Sequence, residues 1–237
     1  MARFSWVSLA VGLVTLVVTP SVLLGDQDGV PPASPPRVLF WGDAIQRPVL
    51  QTTANELKGK IEFVFPRNVE PGDTGTALEG LDELIKSGFF EDFDLVYVNL
   101  GLADLMYRDP RTVEIRAMSR VAGGVRVTSR AEYRERLTRI VERLREANVA
   151  MVWAHTTPIV NAGSLRDLYE PGSEIEYNEI AHEVMDEFAV PVIDLHGFAT
   201  SELGDQKHPD LTGYNRAVPL HTPVVRFLEA RFATGDR

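Results

Sequence analysis

The sequence predicts an α/β fold, a three-layer αβα sandwich around a parallel sheet of five strands. Three observations lead to this prediction. Short runs of β-branched and aromatic residues recur along the chain, amphipathic helical segments separate them, and 237 residues suffice for one sizeable core. Strands that alternate with helices form parallel sheets that are covered on both faces. Right-handed crossovers then favour the strand order 2-1-3-4-5.

The first 36 residues are excluded from this fold. Arg3 precedes an apolar run over residues 6–24, and Gly25 and Asp26 follow it. A cationic start, an apolar middle and a polar exit are typical of a secretory signal, but the run is also near the ~20 residues that span a bilayer. A signal peptide over residues 1–25, an uncleaved membrane tether through residues 6–24 and a buried core helix therefore stay open. The first two predict a secreted or periplasmic protein, anchored at its N-terminus in the second case.

A proline-rich linker over residues 26–36 separates this segment from the predicted domain, residues 37–232, and residues 233–237 form a tail. The predicted strands are Val38–Trp41, Ile61–Phe65, Leu95–Asn99, Met151–Ala154 and Val190–Asp194.

Two helices carry a predicted capping box at their start. Ser129 and Glu132 form the first, and Ser173 and Glu176 the second. A final helix over residues 211–232 is predicted to be interrupted around its two prolines, Pro219 and Pro223.

Composition excludes several classes of function. The formal net charge of −10 argues against a nucleic-acid partner and against docking on an anionic membrane surface. The chain has no cysteine, so disulfides, thiol nucleophiles and zinc–thiolate sites are excluded. No metal-ligand spacing and no phosphate-binding loop is visible, so neither a metal nor a cofactor is predicted. The oligomeric state is left open.

Polar residues and glycines follow the predicted strands, where α/β sheets bind their ligands. In chain order these groups are Gly42-Asp43-Ala44, Gly72-Asp73-Thr74, Gly101-Leu102-Ala103-Asp104 and His155-Thr156-Thr157. A further group, Asp205-Gln206-Lys207-His208, precedes the final helix.

Taken together, these groups resemble the sequence blocks of the SGNH (GDSL) hydrolases, a family with a flavodoxin-like sheet, in its bacterial acylhydrolase and carbohydrate-esterase branch. The resemblance covers roughly residues 37 to 232. It implies that the nucleophilic serine would follow Asp43, where this chain has Ala44. It implies Gly72 as the glycine of the oxyanion hole, and Ala103 stands where asparagine or histidine is expected. Asp205 and His208 match the family's orienting carboxylate and catalytic base.

Three more residues are candidates for a substrate pocket, each with a structural alternative. Asp43 lies in the turn after the first strand, Asp104 could equally hold the loop after the third strand, and His155 could be a hydrogen-bonded structural residue. His208 could likewise only bond Asp205 and cap the following helix.

Acyl transfer needs a hydroxyl, a base and an orienting carboxylate, with fixed donors facing the developing oxyanion. The leading hypothesis is thus an exported, catalytically impaired member of this family that binds a small-molecule, ester or glycan ligand. The alternative is an active esterase or acylhydrolase that uses Asp205 and His208 with activated water or a displaced hydroxyl such as Thr74. A third is that both alanines, Ala44 and Ala103, were introduced by engineering.

Overall fold

The structure is a computed structural model that describes residues 34–66, 71–159, 167–204 and 218–233. Its main sheet has five parallel strands: β1 (Arg37–Gly42), β2 (Glu62–Val64), β3 (Leu95–Asn99), β6 (Met151–Ala154) and β7 (Val192–Ile193). Their spatial order is β2-β1-β3-β6-β7, which is the predicted order 2-1-3-4-5. The predicted fold class is therefore confirmed.

Helices cover both faces of the sheet because the strands alternate their side chains between the faces. Leu39 and Trp41 of β1 pack into one core cluster, and Val38 and Phe40 pack into the other. The first cluster also takes residues from α2 (Thr74–Lys86), α4 (Arg130–Glu146) and α5 (Ser173–Glu187). The second takes residues from α1 (Arg47–Glu56), α6 (Leu195–Leu203) and α7 (His221–Ala233).

The starts of the helices agree with the sequence in one case and disagree in two. The capping box of Ser129 and Glu132 opens α4 as predicted. The capping box predicted at Ser173 is wrong, because Gly172 takes the N-cap position in a left-handed conformation and no side chain caps α5. Around Pro219 the chain is not helical, as expected, and the last helix begins at His221, but the interruption expected at Pro223 is wrong. This proline lies in the first turn of α7, where its missing N–H removes no helical hydrogen bond.

A small hairpin was not predicted. It pairs β4 (Tyr107–Arg108) with β5 (Val125–Arg126) in antiparallel fashion, between the short helix α3 (Leu102–Leu105) and α4. Two-residue strands are too short for a periodic signal, which is why no residue pattern indicates them. In the described part of the chain no helix is long and apolar enough to cross a membrane, and residues 6–24 lie outside that part.

Close packing of the sheet edge makes a stability prediction at Gly42. A Cβ atom there would lie 2.4 Å from the backbone oxygen of Asn99, which cannot move without breaking the β1–β3 pairing. We expect Gly42→Ala to lower the free energy of unfolding by about 3 kcal/mol or more. The matched control is Gly80→Ala in α2, where a Cβ has no neighbour within 4 Å; we expect it to raise stability by ~0.5–1 kcal/mol. Urea unfolding of both variants measures these free energies. Equal changes in Gly42→Ala and Gly80→Ala would contradict the prediction.

Candidate functional site

The turn after β1 brings an exposed alanine to the carboxyl edge of the sheet. Asp43 extends the strand pairing by one residue, since its N–H donates to the Asn99 carbonyl oxygen at 2.8 Å. A 3₁₀ turn, Ala44–Gln46, follows and leads into α1. Ala44 is exposed, whereas Gly42 before it is buried. A ligand at this edge can therefore reach the side chain at position 44.

The Asp43 carboxyl group connects this turn to the loop after β3. Its Oδ2 accepts a hydrogen bond of 3.0 Å from the N–H of Leu102, the first residue of α3. Gly101, just before, has φ 138°, and a Cβ there would lie 2.8 Å from the Thr156 hydroxyl. Both its conformation and this close approach therefore require a glycine. Ala103 follows within α3 and is half-buried.

The loop after β2 ends in a well-capped helix start. Gly72 is exposed with φ 66°, and the Asp73 carboxylate accepts hydrogen bonds from the N–H groups of Gly75 (2.9 Å) and Thr76 (3.4 Å). An aspartate in this position satisfies backbone donors that the first turn of α2 leaves free. Arg136 of α4 approaches the same carboxylate at 3.8 Å.

Asp104 joins the loops after β2 and β3. Its side chain is fully buried, and it accepts the backbone N–H of Thr74 at 3.1 Å and the Thr74 hydroxyl at 2.6 Å. These contacts favour a structural role for Asp104 over a role in a substrate pocket, because they hold the start of α2 in place. Thr74 is itself fully buried, so its hydroxyl is not available as a displaced nucleophile.

The structure thus brings three of the predicted groups together, those that contain Ala44, Gly72 and Ala103. Asp205 and His208 lie outside the described residues. Their assignment as orienter and base therefore stays a prediction, as do the roles of Gly72 and Ala103 in an oxyanion hole.

Burial dominates the electrostatics of this edge. Desolvation raises the pKa of Asp43 to about 8, against the opposing effect of the Leu102 N–H and with a contribution from the nearby Asp104 charge. Desolvation also raises the pKa of Asp104 to about 6, and its hydrogen bonds from Thr74 and Thr128 limit the shift. Asp43 is consequently mostly protonated near neutral pH and can donate a hydrogen bond.

His155 belongs to a different part of the edge. Its Nδ1 lies 3.0 Å from Oδ1 of Asp194, and its buried Nε2 has no hydrogen-bond partner. A cavity of about 430 Å³ borders this pair, with His182 and His196 in its wall. Burial lowers the pKa of His155, against the effect of Asp194. No pattern in the sequence links His155 with Asp194. The parallel pairing of β6 with β7 brings the two residues together.

Asp194 also has a structural role, since it accepts the N–H of Gly197 at 2.8 Å and caps α6. Within the four described ranges, no three His, Asp or Glu side chains are grouped so that they could hold a metal ion.

Comparison with known proteins rests on structure alone. No protein-family model and no curated protein matches the sequence. A lipase/acylhydrolase from Enterococcus faecalis superimposes with a TM-score of 0.55 at 19% identity, over 83% of this chain and 96% of that one. A GDSL-like lipase from Bacteroides thetaiotaomicron superimposes with a TM-score of 0.55 at 14% identity, over 83% of this chain and 89% of that one.

A third structure, the acetyl xylan esterase AlAXEase, superimposes with a TM-score of 0.55 at 13% identity, over 81% of this chain and 99% of that one. The chain has the fold of the SGNH (GDSL) hydrolases. The resemblance inferred from the strand-end groups is thereby confirmed at the level of the fold. In this SGNH fold the exposed Ala44 follows the first strand of the sheet.

The raised pKa of Asp43 predicts a pH dependence of stability. An aspartate has a pKa of about 3.9 when unfolded, so the unfolded chain loses this proton first and the folded chain retains it up to about pH 8. Stability from this group is therefore lost as pH rises from about 4 to about 8. Asp43→Asn keeps the acceptor for Leu102 but removes the titration, so we expect its stability relative to the parent to increase between about pH 5 and about pH 8.

Urea unfolding at both pH values measures this difference. Glu79→Gln, an exposed carboxylate of α2, is the matched control and should show no comparable change. If the free energies of unfolding of the parent and of Asp43→Asn change in parallel with pH, the prediction is wrong.

Proposed function

We propose that the protein is an exported SGNH-fold protein related to esterases and acylhydrolases, with impaired catalysis, that binds an ester or glycan ligand at the carboxyl edge of its sheet. One observation carries the proposal. The exposed residue after β1 and its Gly42-Asp43 turn is an alanine. The resemblance to the family implies a nucleophilic serine at this position.

The missing groups matter because of what acyl transfer requires. Ala44 retains a backbone N–H but has no oxygen that could attack an ester. In the serine protease subtilisin, removal of the nucleophilic serine lowers kcat by about 10⁶. Ala103 lacks a side-chain donor, and one missing oxyanion donor typically costs ~10²–10³ in rate.

Among the described residues, two hydroxyl groups near the edge do not replace the serine. Thr74 is buried and donates to Asp104, and Tyr133 is buried with its hydroxyl 3.3 Å from the Leu100 carbonyl oxygen. An active enzyme that uses water activated by His208 is kept as the second candidate, because the sequence retains both Asp205 and His208.

The ligand class is proposed from the names of similar structures. Two of them are a lipase/acylhydrolase and an acetyl xylan esterase. These names refer to enzymes that act on esters of lipids and on esters of a glycan. The net charge of −10 supports a ligand other than nucleic acid.

Restoring the hydroxyl tests the proposal. Ala44→Ser adds one exposed oxygen, so packing should tolerate it. If Asp205 and His208 are in place, the variant should hydrolyse nitrophenyl acetate above the parent's rate. Adding Ala103→Asn should raise the rate by a further ~10²-fold. Ala44→Gly, which lacks the oxygen, is the matched control and should stay at the parent's rate.

Two results would count against the proposal. His208→Ala in the Ala44→Ser background should abolish the gain, because an unassisted serine is a poor nucleophile near neutral pH. If the parent itself hydrolyses esters and loses this activity on His208→Ala, the second candidate is correct. If no restored variant is active although each remains folded, the catalytic relationship is wrong and only ligand binding is left.

Export is proposed from the apolar run after Arg3. We expect mass spectrometry of the mature protein to find its start between Gly25 and Gly29, in the extracytoplasmic fraction. Recovery of the intact chain in membranes would support the tether, and recovery in the cytoplasm would contradict export.

A further inference from the structure

A second cavity, of about 850 Å³, lies between the β4–β5 hairpin and the start of α5. Its wall includes Tyr107, Arg126, Arg130, Glu170, Ser173 and Glu176.

Charged side chains at the cavity form ion pairs, and one arginine outside its wall joins them. Glu170 is shared by two guanidinium groups, Arg126 at 2.9 Å and Arg120 at 3.1 Å, and it also accepts the Tyr107 hydroxyl at 3.0 Å. Arg130 pairs with Glu176 at 3.1 Å. The wall itself thus holds two arginines and two glutamates, and with Arg120, which lies outside the wall, this cluster of five side chains has one more arginine than glutamates.

Hydrogen-bond donors at this place are also unsatisfied. Nε of Arg126 is buried and has no partner. Ser173, the first residue of α5, is 7% exposed, and its hydroxyl also has no partner. No side chain caps α5, which begins at this wall with its positive dipole end. Unsatisfied buried donors are costly, so an acceptor-rich ligand would be stabilised here.

An aromatic surface completes the cavity. The half-buried ring of Tyr107 is held in place by its hydroxyl bond to Glu170 and by the Arg126 guanidinium, 5.7 Å from the ring centroid. The apolar C–H face of a sugar ring packs well on such a ring, while the surrounding polar groups can bind its hydroxyls. A phosphate or another small anion would use the cations but not this ring.

We infer that this cavity binds a uronic acid unit of an acidic glycan. The sugar packs on Tyr107, and its carboxylate is bound by Arg130, Arg126 and the Ser173 hydroxyl. The inference deepens the proposed function and rests on it in one respect, that the ligand is a glycan. It requires no catalysis.

Calorimetric titration of the full chain with trigalacturonic acid tests the inference, with neutral xylotriose as the matched ligand. We expect the uronate to bind more tightly, and its affinity to fall as salt concentration rises. Equal affinity for both ligands, or no heat with the uronate, would overturn the inference.

Two variants locate the site. Arg130→Ala should weaken uronate binding about tenfold or more, because it removes a charge-assisted hydrogen bond. The matched control is Arg134→Ala, one turn further along α4, where the arginine pairs with Glu183 outside this cavity. Glu176→Gln should strengthen binding, because it frees Arg130 and removes a like charge. The same thermal unfolding midpoint for Arg130→Ala and Arg134→Ala would show that a folding defect does not cause the weaker binding. Equal affinities of these two variants for the uronate would overturn the proposed location of the site.

The outcomes separate this inference from the proposed function. Rescue of ester hydrolysis by Ala44→Ser is measured on a small ester that carries no uronate. Rescue without uronate binding overturns the uronate site alone. Uronate binding without rescue supports that site and leaves the catalytic relationship without support.

Discussion

Two carboxyl groups hold the carboxyl edge of the sheet together, and the rest of the site depends on them. Asp104 binds the backbone and hydroxyl of Thr74 at the start of α2, and Asp43 binds the N–H of Leu102 at the start of α3. Each satisfies donors that a helix start leaves without partners. Both groups are desolvated, and the larger number of hydrogen bonds to Asp104 explains why its pKa rises only to about 6 while that of Asp43 rises to about 8.

This arrangement makes the geometry of the edge independent of the side chain at position 44. The turn after β1 is fixed by the buried Gly42, by the bond from Asp43 N–H to Asn99 and by the Asp43 carboxyl group. None of these contacts involves a serine hydroxyl. An alanine at the proposed nucleophile position therefore lacks the attacking oxygen, but no structural contact at the turn depends on such an oxygen. This supports the proposal that the protein keeps a ligand-binding edge although its catalysis is impaired.

The sequence predicts most of the fold and only part of the site, for physical reasons. The bounds of β3 and β6 and the capping box of α4 were predicted correctly, because buried runs and caps are local signals. The capping box at Ser173 failed since the left-handed Gly172 before it changes how α5 begins. The contact of Asp104 with Thr74 spans 30 residues, and that of His155 with Asp194 spans 39. Such pairs depend on the conformations of the loops at the sheet edge and on the directions of their side chains, which residue patterns do not specify.

Strand order also argues against His155 as the base for position 44. His155 and Asp194 form an Asp–His pair at the same edge as Ala44, and a neutral His155 that donates from Nδ1 to Asp194 has a lone pair on Nε2. However, β3 lies between β1 and β6 in the sheet. Neighbouring strands are about 4.8 Å apart, so the ends of β1 and β6 are separated by about 10 Å. Proton transfer needs contact within about 3 Å, or through one water molecule. His155 is also buried and anchored to Asp194, which keeps it on the far side of β3. If a hydroxyl is restored at position 44, His155 is too far away to serve as its base, and His208 stays the predicted base.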